Sequence, residues 1–127
     1  SMGGFFPVPG QSLYGASKAA VKLLTEGLYA ELLETNVKVT VVFPGAIATN
    51  ISQNSGITMR ALSDASAQKF KATPAEDAAK IIIDGIKADK FQVYVGRDAA
   101  MMNLFYRLNP RRATNFMFNR MKSLLGS

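Results

Sequence analysis

The sequence predicts an α/β protein in which helices and strands alternate along the chain. Two segments rich in β-branched and aromatic residues, 37–43 and 91–95, are each followed by a glycine-containing turn. A helical segment precedes each of them, which is the order that gives parallel strands joined by crossover helices. Because two strands make a poor sheet alone, the chain is predicted to form part of a larger sheet.

The first helix is predicted over residues 12–35, with Ser12 as its N-cap. An apolar stripe at helical spacing supports this prediction, and it consists of Val21, Leu24, Leu28 and Leu32. The strand at 37–43 follows, with odd-numbered apolar residues on one face and a doubly apolar end that is typical of a buried sheet.

A second helix is predicted to begin at the Thr-Pro-Ala-Glu sequence at 73–76 and to run to about Lys87. In this prediction Thr73 is the N-cap, Pro74 occupies the first helical position and Glu76 completes a capping box. The residues expected to be buried in this helix are Ala78, Ala79, Ile82 and Ile86.

Two helices are predicted after the strand at 91–95. The first is capped by Asp98 and runs to about Leu108, and the second covers roughly residues 114–124. We therefore divide the chain into a main body, residues 1–109, and a C-terminal extension, residues 110–127. The extension is basic and amphipathic, since residues 101–127 carry five Lys or Arg and no acidic residue, whereas the rest of the chain is almost neutral.

Composition excludes several classes of site. The chain has no cysteine and no histidine, which removes disulfides, thiol nucleophiles and the commonest metal ligands. We expect no metal site, and acid–base chemistry must use Tyr, Lys, Asp or Glu. No signal peptide or membrane-spanning run is visible, which favours a cytoplasmic protein. The basic residues lack the pattern of a nucleic-acid module, so no nucleic-acid partner is expected.

Tyr14 and Lys18 are the residues best suited to chemistry. They are four apart at the start of a predicted helix, so they lie on one face, one turn apart. An ammonium near a phenol favours the phenolate, and a tyrosine tuned in this way can exchange a proton with a carbonyl or an alcohol. On spacing alone, an ordinary pair of surface neighbours on a helix is the commoner explanation.

Four ordered motifs resemble signatures of the short-chain dehydrogenase/reductase family. The Tyr-x-x-x-Lys pair stands among small residues at 14–21, and Ser1 begins a Ser-x-x-Gly motif before it. Pro-Gly at 44–45 ends the first strand and leads to Ile-x-Thr at 47–49, and Thr-Pro-x-Glu-x-Ala follows at 73–78. The resemblance covers roughly residues 1–100, and its strength lies in the order of the four motifs.

The resemblance implies a catalytic role for three residues. Tyr14 would be the general acid and base, and Lys18 would favour its ionised form and hydrogen-bond the nicotinamide ribose. Ser1 would orient the carbonyl or hydroxyl group of the substrate. The implied reaction interconverts an alcohol and a ketone, with a small-molecule alcohol or ketone as the substrate.

The same resemblance implies the cofactor, NAD or NADP, and its contacts. Besides Tyr14 and Lys18, the turn at Pro44 and Gly45 would meet the nicotinamide carboxamide, together with the backbone of Ile47 and the hydroxyl of Thr49. The implied fold is a Rossmann-type doubly wound parallel sheet. This chain resembles its C-terminal portion, because the glycine-rich loop that holds the pyrophosphate in that family has no counterpart in the sequence.

We expect a fragment of an oxidoreductase that is inactive alone and that forms a homo-oligomer. Residues 50–72 occupy the position of the family's substrate-binding loop. Two alternatives stay open: a catalytically silent oligomerisation module that associates through the helix at Tyr14, and a peripheral membrane protein that binds through the basic extension. We expect little membrane binding, because the apolar residues of the extension can pack on the body or on a neighbouring subunit.

Overall fold

A computed structural model gives the fold and describes residues 1–50 and 72–122. A short 3-10 helix, Met2–Gly4, comes first. The helices are α1, Ser12–Glu31; α2, Ala75–Lys87; α3, Arg97–Leu108; and α4, Pro110–Met121. The strands are β1, Val41–Pro44; β2, Ile47–Ala48; β3, Thr73–Pro74; and β4, Gln92–Val95.

The described strands form two parallel pairs, which confirms the predicted parallel α/β arrangement. Strand β1 pairs with β4, with Val42 opposite Val93, and β2 pairs with β3, with Ile47 opposite Thr73. Strand β1 is shorter than predicted, since pairing begins at Val41 rather than at residue 37. Only Gly45 and Ala46 separate β1 from β2, and the Gly45 N–H donates to the carbonyl of Val95 at the end of β4.

The buried core lies between α2 and the β1–β4 pair. Val93, Val95 and Ala78 form its centre, with Ile82 packed against them. Helix α2 approaches closely at Gly85, where any side chain would overlap Val93. Burial of a valine side chain contributes on the order of 1.5–3 kcal/mol, so these contacts fix α2 over the sheet.

The predicted start of α2 is wrong by one residue. Thr73 and Pro74 belong to β3, the helix begins at Ala75, and its N-cap Pro74 makes no side-chain capping bond. The reason is that the Thr73 N–H donates to the carbonyl of Ala46 at 2.9 Å, which commits this segment to strand pairing. Of the four residues predicted to be buried in this helix, only Ala78 is fully buried. Ile82 is half-buried, and Ala79 and Ile86 are exposed.

The ends of the other helices also differ from prediction. Gln11, not Ser12, is the N-cap of α1, and the helix ends at Glu31 because residues 32–35 form a turn. Asp98 does not cap α3; the N-cap is Gly96 and the Asp98 side chain is buried. Helix α4 begins at Pro110 rather than at residue 114, because the side chain of Asn109 accepts a hydrogen bond from the Arg112 N–H.

The described part of the C-terminal extension packs against the preceding helix. Ala113 and Met121 of α4 are buried, and Phe116 meets Phe105 of α3 edge-on, with ring centroids 5.7 Å apart. Helix α1, by contrast, has no buried residue of its own. Among the helices described, none combines the length and apolarity that a membrane crossing requires.

Candidate active site

One open cleft, with a volume of about 610 Å³, is lined by every site residue predicted from the sequence. The catalytic candidates and the cofactor-binding candidates come from distant parts of the chain. The seven predicted residues that line the cleft are Ser1, Tyr14, Lys18, Pro44, Gly45, Ile47 and Thr49.

Ser1 and Tyr14 are brought together by the packing of the 3-10 helix on α1. The Oγ of Ser1 accepts a hydrogen bond from the Gly3 N–H at 3.1 Å, which orients the serine as the cap of this short helix. A methyl group on Gly3 would lie 3.1 Å from Cε1 of Tyr14 and 3.4 Å from Oγ of Ser1. Gly3 therefore lies between the two side chains, and its lack of a side chain permits their approach.

Lys18 lies one turn after Tyr14, and its Nζ is 5.3 Å from the centroid of the Tyr14 ring. The tyrosine is 46% exposed, so a molecule in the cleft can reach its ring and hydroxyl. Close backbone packing holds this turn of α1. A methyl group on Gly4 would lie 3.1 Å from the Lys18 carbonyl oxygen, and one on Gly15 would lie 3.2 Å from the Gly3 carbonyl oxygen.

The opposite wall of the cleft is the turn that joins β1 to β2. The Gly45 N–H donates to the Val95 carbonyl at 2.8 Å, and the carbonyl of Ala46 accepts from the Thr73 N–H. The Ala46 N–H donates to Oδ2 of Asp98, also at 2.8 Å. These bonds hold the backbone of the turn on both sides, and they fix where Ile47 enters the cleft.

The floor of the cleft is apolar and consists of residues that the sequence did not indicate as part of a site. Helix α2 and strand β4 supply them, and they are Ala75, Ala78, Ala79, Ile82 and Val95. Small and branched side chains at helical spacing predict burial but not the presence of a cleft above them. The predicted substrate loop, residues 50–72, lies almost wholly outside the described residues.

A second open cleft of about 570 Å³ contains none of the seven predicted residues. It is lined in part by Asp77, Lys80, Tyr94 and Arg97. Within residues 1–50 and 72–122, no group of three or more acidic residues is arranged to hold a metal ion. The first cleft is the better candidate, because it contains the Tyr14–Lys18 pair and the other five predicted residues above an apolar floor.

The similar proteins are named as dehydrogenases, oxidoreductases and reductases. The family model described as short chain dehydrogenase matches residues 1–60. The SadH protein of Mycobacterium tuberculosis, which is named as an oxidoreductase, is 34% identical over 114 residues, covering 85% of this chain and 41% of that protein. Sulfoacetaldehyde reductase 2 of Chromohalobacter salexigens is 39% identical over 82 residues, covering 65% of this chain and 32% of that protein.

A solved structure agrees in fold. The crystal structure of a short chain dehydrogenase from Burkholderia cenocepacia in complex with NADP superposes with a TM-score of 0.68 at 25% identity, over 98% of this chain and 46% of that chain. The chain therefore belongs to the short-chain dehydrogenase/reductase family, whose fold is Rossmann-like. It spans less than half the length of each of these relatives.

Proposed function

We propose that the protein is an NAD(P)-dependent oxidoreductase that interconverts an alcohol and a ketone, with Tyr14 as the general acid and base. The observation that carries this proposal is the convergence of Ser1, Tyr14 and Lys18 with the 44–49 turn around one cleft. A bound NADP in the related Burkholderia structure supports a nicotinamide cofactor without deciding between NAD and NADP.

The residues of the cleft fit the nicotinamide end of such a cofactor. The backbone of Gly45 lines the turn, Thr49 is exposed, and the exposed Lys18 ammonium can donate hydrogen bonds within the cleft. The apolar floor suits the face of an aromatic ring. When bound, a nicotinamide ring supplies or accepts the hydride.

The protein's own residues would then move the proton. In the direction of reduction, the Tyr14 hydroxyl gives its proton to the substrate oxygen, and in oxidation the phenolate takes it back. The Lys18 ammonium stabilises the negative charge that Tyr14 carries between these events. The Ser1 hydroxyl, which lines the same cleft, would hydrogen-bond the same substrate oxygen.

The decisive experiment is Tyr14→Phe in the complete natural reading frame that encodes this chain. We expect turnover to fall by about a hundredfold to ten-thousandfold, because the phenylalanine keeps the ring but has no proton to transfer. Dinucleotide affinity should stay near the wild-type value. Tyr29→Phe is the matched control, since Tyr29 is on the same helix but packs on Phe91, with centroids 4.5 Å apart. Retention of more than about a tenth of the wild-type rate by Tyr14→Phe would refute the assigned role.

A role in self-association is a second proposal, and the surface of α1 supports it. Large apolar side chains of this helix are exposed, including Leu13 at 89% and Leu23 and Leu24 at 70% and 66%. An apolar surface of this kind on a water-soluble domain is typically covered by protein. Light scattering on the complete protein tests this proposal, and replacement of Leu13 and Leu24 by Gln should lower the measured mass.

A further inference from the structure

Asp98 is the buried charged side chain of the described structure, with 8% of its surface exposed. It lies outside the set of residues that line the main cleft. Its Oδ2 accepts a hydrogen bond from the Ala46 N–H at 2.8 Å, across 52 positions of sequence. The bond joins the first turn of α3 to the turn between β1 and β2.

Two glycines make room for this carboxylate. Any side chain on Gly45 or on Gly96 would overlap the carboxylate oxygens of Asp98. Gly96 also has a φ of +98°, a conformation that other residues rarely adopt. The carboxylate therefore packs directly on the backbone of the residues that follow β1 and β4, Gly45 and Gly96.

A buried carboxylate is costly unless its charge is compensated. Here the compensation comes from the Ala46 N–H and from the N-terminal end of α3, where the helix dipole favours negative charge. In return, the Ala46 N–H has a partner although β1 has already ended at Pro44 and β2 has not yet begun. Because the Ala46 carbonyl accepts a hydrogen bond from the Thr73 N–H, both backbone groups of Ala46 are hydrogen-bonded.

We propose that Asp98 is a positioning residue for the cofactor-binding turn. It holds residues 44–46 in the conformation that places Ile47 and Thr49 at the cleft, and it acts through the backbone of Ala46 rather than by touching substrate or cofactor. This inference rests on the proposed function, because the turn is assigned to the nicotinamide carboxamide there.

The test compares Asp98→Ala, Asp98→Asn and Glu76→Ala in the complete protein. Asp98→Ala removes the acceptor, and we expect the KM and Kd for the dinucleotide to rise about tenfold, with kcat changed by less than about threefold. Asp98→Asn keeps an acceptor oxygen and should recover most of the affinity. Glu76 is an exposed carboxylate in the first turn of α2, so its removal is the matched control and should leave both constants unchanged.

A general structural defect would lower the active fraction and therefore kcat, without a selective rise in the KM and Kd for the dinucleotide. That result would contradict the proposal. Equal losses in Asp98→Asn and Asp98→Ala also contradict it, since the amide retains the acceptor. Amide hydrogen exchange in the wild-type protein gives an answer even if a variant fails to fold. The Ala46 N–H should exchange slowly without cofactor, and fast exchange would overturn the proposal.

The same measurements separate this inference from the proposed function. If the wild-type protein binds neither NADH nor NADPH, the proposed function fails, and the cofactor-positioning role of Asp98 fails with it. If the wild type binds a dinucleotide but Asp98→Ala binds it equally well, the proposed function stands and the role of Asp98 is wrong.

Discussion

Phe43 and Tyr94 are direct partners in the register of the β1–β4 pair, and their rings stack with centroids 5.1 Å apart. Phe5 meets both rings edge-on, at 5.3 Å from Phe43 and 5.9 Å from Tyr94. Such aromatic contacts each add about 0.5–1.5 kcal/mol beyond area burial. Because Phe5 directly follows the 3-10 helix, the cluster attaches the segment that carries Ser1 to the sheet.

A chain of hydrogen bonds continues from Tyr94 to α1. The Tyr94 hydroxyl donates to Gln92 at 2.9 Å, and the Gln92 amide donates to Glu26 at 2.8 Å. Glu26 also pairs with Lys22 at 2.8 Å. Helix α1 is therefore held to β4 by polar groups although none of its own residues is buried.

The first prediction concerns the ionisation of Tyr94. Burial raises the pKa of Tyr94 above its ordinary value, the Glu26 carboxylate adds to the increase, and Arg107 opposes it. A group with a higher pKa in the folded state binds its proton more tightly there. The stabilisation from neutral Tyr94 is therefore complete below the unfolded pKa of about 10, and it is lost as pH rises through the folded pKa.

Thermal melts of the wild type and Tyr94→Phe between about pH 8 and 11 check this prediction. The phenylalanine variant cannot ionise, so it should lose less stability than the wild type over the alkaline part of this range. Parallel loss of stability in the two proteins at every pH would show that the pKa of Tyr94 is not raised by folding.

The second prediction concerns the contact of Gly3 with Tyr14, the proposed general acid and base. Gly3→Ala places a methyl group 3.1 Å from the Tyr14 ring, so the ring or the 3-10 helix must move by a few tenths of an ångström. We expect kcat to fall by about tenfold, because small displacements of a reacting group have large effects on rate. Unchanged kcat would mean that the position of the Tyr14 ring does not control the rate.

Gly27→Ala is the matched control for this substitution. Gly27 is on the same helix as Tyr14, and a methyl group there would meet no atom within 4 Å. An alanine in a helix interior is more favourable than a glycine by about 0.5–1 kcal/mol, so this variant should melt at a higher temperature with unchanged kcat.

The third prediction separates Lys18 from its neighbour Lys22. Lys18→Met should lower kcat and raise the KM for the dinucleotide together, because the ammonium lies beside Tyr14 and lines the cleft. Lys22→Met, one turn later, removes a half-buried i,i+4 pair with Glu26 that is worth about 0.5 kcal/mol, and Lys22 is not among the residues that line the cleft, so kcat should be unchanged. A normal kcat in Lys18→Met would show that Lys18 takes no part in the proposed proton transfer.

The site could be predicted from the sequence where its residues are close in sequence or form ordered motifs. The spacing of Tyr14 and Lys18 fixes their relation on a helix whatever the rest of the fold. The Pro-Gly turn at 44–45 follows an apolar strand, and in a parallel sheet such strand ends meet at one edge. The cleft brings these groups together as the motif order implies.

Asp98 could not be assigned from the sequence because its partner is 52 positions away. An aspartate near a helix start usually indicates a local cap, and only the tertiary fold places Ala46 within reach. The Thr-Pro-x-Glu pattern failed for the same reason, since pairing of β3 with β2 outweighs the local capping signal. Apolar spacing likewise identified the face of α2 that contains Ile86 but not whether anything covers it.

The last prediction is that residues 1–127, expressed alone, do not bind a dinucleotide tightly. The groups of the cleft that suit a cofactor are Lys18, the 44–45 turn, Ile47 and Thr49, and all of them are assigned to the nicotinamide end. No glycine-rich loop of the Thr-Gly-x-x-x-Gly-x-Gly type is present in this sequence to hold the pyrophosphate. Contacts at one end of a long flexible ligand do not offset the freedom that it loses on binding.

Association should accompany this weak binding. The chain exposes Leu13, Leu23 and Leu24 on α1. Among the described strands, β1 pairs only with β4, so the backbone groups on its other edge have no strand partner there. Such a surface recruits further protein through helix packing or strand pairing. Calorimetric titration with NADH and NADPH, combined with light scattering on the same sample, tests both statements. Micromolar binding by a monomer would contradict both, because the chain would then hold a dinucleotide by contacts other than those assigned here.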